Sequence, residues 1–167
     1  MFALRSRNGQ ASGKQPGTSA RIARVGLTMV ATRFAVAIHI LLLLATEPGG
    51  QATSGRIAGS VGTNPVVIRR LAGQLARAGL LRVRRGPGGA ELARPPEEIT
   101  LAEVWMAMRR PGLPLLPNHP GPRMNGDALG RAVPGLLRGV LDDAERAMED
   151  HLSGVTLREL HARVVEA

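Results

Sequence analysis

The chain has 167 residues, 44% of them apolar, which is enough for one domain with a core of its own. Aromatics make up only 2% (Phe2, Phe34, Trp105), so that core must be aliphatic. The absence of cysteine excludes disulfides, zinc–thiolate sites, cysteine-ligated iron–sulfur clusters and thiol nucleophiles, while 22 basic against 13 acidic residues give a net charge of +9, a balance suited to nucleic acid or another anionic surface.

Residues 1–28 carry Arg5, Arg7, Lys14, Arg21 and Arg24, no acid, and no sustained apolar period. They read as a disordered basic extension. Such a segment is compatible with an arm that contacts phosphates, an over-extended start ahead of Met29, or an inert tail. Residues 34–45 (FAVAIHILLLLA) form the longest apolar run, twelve residues, whereas a membrane-spanning helix needs about 20. The length also fits a signal-peptide core, but the leader would be unusually long and no small-x-small cleavage site precedes Glu47-Pro48-Gly49-Gly50. A helix buried on all sides is expected, with His39 as a hydrogen-bonded core histidine.

Residues 53–62 (TSGRIAGSVG) predict a short helix capped by Thr53 or Ser54, with Ile57, Ala58 and Val61 inward and Gly62 at its left-handed end. Thr63-Asn64-Pro65 then supplies a second cap with proline at the first helical position. In the helix that follows, Ile68, Leu71, Ala72, Leu75 and Ala78 form one apolar stripe, and Gly79 stops it. Two short helices joined by so brief a turn match the helix-turn-helix plan. Leu81, Val83 and Leu92 alternate with polar residues on either side of Gly86-Pro87-Gly88-Gly89, which predicts a two-stranded wing. That glycine loop lacks the Gly-Lys-Ser/Thr ending of a nucleotide-binding loop and is not followed by a helix start.

Charge singles out the same region. Residues 56–85 contain Arg56, Arg69, Arg70, Arg77, Arg82, Arg84 and Arg85 with no Asp or Glu. Arginine-rich composition would raise arginine everywhere, but it would not remove the acids from this stretch. A recognition helix places its N-terminal residues at base edges in the major groove, here Thr63, Asn64, Val66, Val67 and Arg69 or Arg70. Arginine can bridge guanine O6 and N7, and valine can touch a thymine methyl. Arg77 at the rim suits a phosphate, and Arg84, Arg85 and Gly86 complete the expected DNA-contacting set at the wing, with Arg85 suited to a narrow minor groove.

The stretches RFAVAIHILLLLA at 33–45, IAGSVGTNPVVIRRLAGQLARAGLLRVRRGPGG at 57–89 and LARPPEEITLAEV at 92–104 resemble the Rrf2 family of bacterial winged helix-turn-helix transcription regulators. The resemblance runs from about residue 29 to the end, and its most specific part is the Arg-Gly-Pro-Gly-Gly wing with the Ala-Arg-Pro-Pro-Glu-Glu-Ile-Thr-Leu stretch behind it. It implies a homodimer bound to a pseudo-palindromic operator, usually as a repressor, with Asn64, Val66, Val67 and Arg69 at the bases and Arg85 in the wing. Two departures bear on this. Many members carry three cysteines that hold an iron–sulfur cluster; the corresponding stretch here, roughly 111–130, has His119 but no cysteine, which points to the cluster-free branch. Ala90 stands where the family usually has a tyrosine, which bears on the packing of the wing.

In the C-terminal third, Thr100 and Glu103 form a capping-box pattern before a helix with Leu101, Val104, Trp105 and Met108 inward. A linker with Pro111, Pro114, Pro117, Pro120 and Pro122 follows. Residues 127–152 predict the longest helix, with Leu137, Leu141, Ala144, Met148 and Leu152 in one stripe, flanked by Leu136, Val140 and Ala147, and with Pro134-Gly135 starting or kinking it. A small winged domain gives so long a helix little to cover, so dimerisation is its expected use. Thr156 caps a last short helix, expected to fold back onto the dimer.

The sequence therefore reads as mainly α with a small β-wing. An extension (1–28) precedes a winged helix-turn-helix domain (29–98), then a linker and helical dimerisation region (99–167). The expected partners are double-stranded DNA, a second copy of the chain, and an effector, small molecule or protein, that the sequence does not define. No cofactor, metal or membrane is expected, and the setting is the cytoplasm with its nucleoid. An enzyme is the competing class. Against it, histidines 39, 119, 151 and 161 lack metal spacing, Asp142-Asp143 and Glu149-Asp150 sit on a solvated face, and no serine has a base beside it. A protein-interaction module of the same fold with weak or non-specific DNA binding is the alternative, but loss of DNA contact would relax the acid-free arginine stretch.

Overall fold

A computed structural model describes residues 18–47, 52–84, 89–109 and 127–166, with backbone only for 18–29. The elements run α1 (Thr18–Thr46), α2 (Ser54–Val61), α3 (Pro65–Arg77), β1 (Leu81–Val83), β2 (Ala90–Leu92), a 3-10 turn (Pro96–Glu98), α4 (Leu101–Met108), α5 (Ala128–Ser153) and α6 (Leu157–Val165). The fold is mostly helical with a small two-stranded antiparallel sheet.

The first helix begins at Thr18, so residues 18–28 are helical rather than disordered as their composition suggested. Nucleation is the costly step of helix formation, and a helix already formed by the apolar run extends cheaply into Ala20, Ile22, Ala23 and Val25. Ala37, Ile40, Leu41 and Leu44 recur at helical spacing and are buried. Burial does not extend all round, however. His39 lies outside that stripe and is exposed, not in the core, with its Nε2 3.0 Å from Ser60 Oγ on α2.

Local rules account for the next two helices. Thr53 Oγ1 accepts the Arg56 N–H at 3.2 Å, and Gly62 ends α2 at φ 73°. Asn64 Oδ1 accepts the Val66 N–H at 2.8 Å, with Pro65 opening α3. Ile68, Leu71, Ala72 and Leu75 face inward. The end of α3 is a Schellman motif: the Gly79 N–H donates to Ala76 O and the Leu80 N–H to Leu75 O, each at 3.0 Å, with Gly79 at φ 72° and Leu80 buried. Ala78, expected on the stripe, is exposed because it is the C-cap residue, just past the last turn of α3. An Asn64→Ala variant removes one cap and is expected to lose about 0.5–2 kcal/mol of stability, read from its urea midpoint.

Strands β1 and β2 pair Leu81 with Leu92, Arg82 with Glu91 and Val83 with Ala90. Ala90 is buried and also bridges Ala52, its N–H donating to Ala52 O at 3.2 Å, so the wing is anchored by a third extended residue and without a large side chain at position 90. The loop 85–88 lies outside the described residues.

The Thr100 capping box is complete: the Glu103 N–H donates to Thr100 Oγ1 and the Thr100 N–H to Glu103 Oε2. Partial burial pushes the Glu103 carboxyl up, but the Thr100 N–H and the Arg94 guanidinium, 2.6 Å away, outweigh it and hold the group below its ordinary range. On α4, Leu101, Val104, Trp105 and Met108 are buried, and Trp105 meets Phe34 of α1 edge to face at 5.3 Å.

The last helix packs on the core of its own chain. Leu157 is fully buried, its N–H donates to Ile99 O at 2.8 Å, and Arg158 pairs with Glu97 at 3.0 Å. Ile99, Val104, Met108 and Leu157 share one core with Ile40, Ile57 and Ile68, so the core is continuous across residue 98. The linker 110–126, including His119 and Met124, lies outside the described residues. Beyond it Asp127 caps α5, which continues through Pro134 and buries none of its residues. Among the described residues no helix is long and apolar enough to cross a membrane.

Candidate nucleic-acid interface

Burial of Ile68, Leu71, Ala72 and Leu75 dictates what the opposite side of α3 presents. Val66, Arg69, Arg70, Gly73 and Arg77 fall at i, i+3, i+4, i+7 and i+11, and all but the half-buried Gly73 are exposed. Val66 is 61% exposed and Val67, beside it, 43%, as expected of positions opposite a filled core stripe. Neither the helix nor its first turn carries an acid. The positive end of the α3 dipole therefore coincides with the open apolar and basic side chains.

The other expected site residues are placed less uniformly. Thr63 is half-buried in the turn. Asn64 is exposed, but its Oδ1 is occupied by the Val66 N–H, which leaves only Nδ2 for a base edge. Bidentate reading of adenine needs both atoms, so in this conformation Asn64 serves the helix first. Arg84 lies at the foot of the wing and pairs with Glu91 at 2.8 Å. Arg85 and Gly86 lie outside the described residues.

A groove of about 420 Å³ runs between α3 and the wing. Ile57, Ile68 and Ala90 line it together with Arg69 and Arg84, so the fold brings these two arginines, fifteen residues apart, to one opening. Ser54 at the start of α2 joins them, accepting from Arg69 Nη1 at 3.4 Å. Ser54 was assigned only a capping role by its sequence position; its place beside Arg69 follows from the packing of α2 on α3. Gln74, on the same exposed half of α3, accepts from Arg33 Nη2 of α1 at 2.6 Å. That pairing spans 41 residues and no local pattern signals it.

The arginine stretch is acid-free in sequence but not entirely so in space. Glu47 from the end of α1 pairs with Arg56, and Glu91 from β2 with Arg84. Among the described residues, Arg69, Arg70, Arg77 and Arg82 make no ion pair. These four cations stand on α3 and the outer strand of the wing, where a polyanion could release its own counterions.

Residues 30–163 match Rrf2, described as an iron-dependent transcriptional regulator. The chain belongs to the Rrf2 family. It is 35% identical over 133 residues to YwnA of Bacillus subtilis (strain 168), named as an HTH-type transcriptional regulator, covering 79% of this chain and 96% of that protein. The crystal structure of a DNA-binding protein superposes with a TM-score of 0.63 at 34% identity, over 77% of this chain and 97% of the other. Staphylococcus aureus CymR gives a TM-score of 0.57 at 26% identity, over 78% and 95%. With the winged-helix architecture described above, this Rrf2 protein is a DNA-binding transcriptional regulator.

The family is described as iron-dependent, and iron chemistry needs ligands to hold it. An iron–sulfur cluster of the Rrf2 kind is held by thiolates, and this chain has no cysteine. Among the described residues no three of His, Asp and Glu converge as a metal site. The donor set does not fit a thiolate-ligated cluster.

Proposed function

We propose that the chain acts in the cytoplasm as a homodimeric repressor that reads a pseudo-palindromic operator and catalyses no reaction. The observation that carries this reading is the exposed, acid-free face of α3, where Val66, Arg69, Arg70 and Arg77 stand opposite a filled core stripe. With α3 in the major groove, its N-terminal half meets base edges: Arg69 donates to guanine, and Val66 and Val67 pack on thymine methyls. Thr63 and the Asn64 Nδ2 flank them at the helix start. Arg70 and Arg77 hold phosphates, Arg84 exchanges Glu91 for a phosphate, and Arg85 with Gly86 reaches the minor groove from the wing. The exposed apolar stripe of α5 supports dimerisation, which sets two recognition helices on successive major-groove turns.

Selection of genomic fragments by the purified protein, followed by titration of the winner and of scrambled DNA at several salt concentrations, tests the reading. The expected winner is palindromic and binds about 10³-fold or more above scrambled DNA. Uniform, steeply salt-dependent binding would refute sequence reading. Two variants separate the roles. Arg69→Ala is expected to cost about 1–3 kcal/mol on the selected site and to relax its preference at one base pair. Arg77→Ala is expected to weaken every sequence alike and to flatten the salt slope by about one. Equal losses for both variants on specific and random DNA would overturn this division.

A further inference from the structure

Arg109 ends α4, and its N–H donates to Trp105 O at 3.0 Å, so its backbone is tied to a helix whose Trp105 and Met108 are buried in the core. Its guanidinium reaches across to α5. Nη1 donates to a Glu149 carboxylate oxygen and Nη2 lies 3.4 Å from Glu145 Oε2. The two acids stand four residues apart, one turn of the same helical face, which also carries the half-buried Leu141, Met148 and Leu152. Arg109, Glu145 and Glu149 are only 23%, 13% and 33% exposed, well below the exposed ion pair Arg146–Asp143 on the same stretch of α5.

Among the described elements α4 is the one α5 packs against most extensively, and none of the residues of α5 is buried. A planar fork that gives one nitrogen to each of two carboxylates a turn apart fixes both the height and the rotation of α5 against α4. A slip by one turn, about 5.4 Å, would break both pairs.

Resting on the dimeric reading above, we infer that Arg109 is a positioning residue for operator spacing: its bridge to Glu145 and Glu149 sets the pose of the winged body on α5, and through it the separation of the two α3 helices. Successive base pairs are about 3.4 Å apart, so a pose that drifts by a fraction of a helical turn moves a recognition helix by a base pair. The bridge touches no base. It determines which spacer between half-sites is read, not which half-site.

The test uses the full chain and palindromes with identical half-sites whose central spacer is shortened or lengthened by one or two base pairs. Wild type is expected to prefer one spacer by about tenfold. Arg109→Gln, and independently the double variant Glu145→Gln with Glu149→Gln, are expected to bind all spacers within about threefold while keeping wild-type affinity for a single half-site. Arg109→Lys, which keeps one charge but loses the fork, is expected to restore part of the preference. Retention of the wild-type preference in both the Gln variant and the double variant overturns the inference. Loss of single half-site affinity in step with spacing also overturns it, in favour of a general structural role. A wild type indifferent to spacing overturns the dimeric reading, and the bridge with it.

Discussion

Glutamate at both Leu136 and Val140 is expected to convert the protein to a folded monomer that no longer holds a full operator. These residues lie one turn apart on α5 and are 70% and 64% exposed, with Leu129 in line further up the helix. A large apolar side chain is worth about 1.5–3 kcal/mol when buried, so a symmetric face carrying each of these twice loses much of its association energy once they are charged. Because Leu136 and Val140 are exposed within the chain, the fold of the monomer itself should lose little stability, read from its urea midpoint. Operator binding should fall by about 10²-fold or more, since the second half-site is no longer delivered intramolecularly, while single half-site binding persists. Sedimentation equilibrium and titration of full and half operators check this. A variant that stays dimeric would assign the α5 face to something other than a second copy.

The second large effect concerns stability. Ile68→Ala is expected to cost about 2–5 kcal/mol, a sizeable share of the 5–15 kcal/mol that holds a domain together. Ile68 is fully buried on the inner side of α3, in one core with Ile57, Leu71 and Leu75, so its removal leaves a cavity directly beneath the recognition helix. Val66→Ala, two residues earlier on the open side, should change stability by less than about 0.5 kcal/mol yet weaken operator binding. Urea unfolding paired with DNA titration separates the two. If Val66→Ala destabilised the fold as much as Ile68→Ala, the assignment of inner and outer faces of α3 would fail.

What the sequence by itself determined is everything governed by neighbours within about four residues. The caps at Thr53, Asn64, Thr100 and Thr156, the left-handed glycines 62 and 79, and the inward stripe from Ile68 to Leu75 all stand where their side-chain chemistry puts them. The helix-turn-helix and wing follow from these, because a cap, a stop and a hydrophobic period together leave little freedom in element order. The outward residues of α3 were legible for the same reason: a filled stripe on one side defines the other.

Only the tertiary structure decided which faces meet. It exposed His39, which an all-apolar run had suggested was buried, because the core covers one stripe of α1 and not its whole circumference. It supplied Glu47 and Glu91 to arginines that have no acid within their own stretch. It folded α6 onto its own core through Leu157, and it brought Arg109 to carboxylates 36 and 40 residues away. A side chain's local preferences are set by its own backbone and the adjoining turn, whereas an ion pair or a buried contact across dozens of residues exists only once chain closure has been offset by the burial of many other groups together.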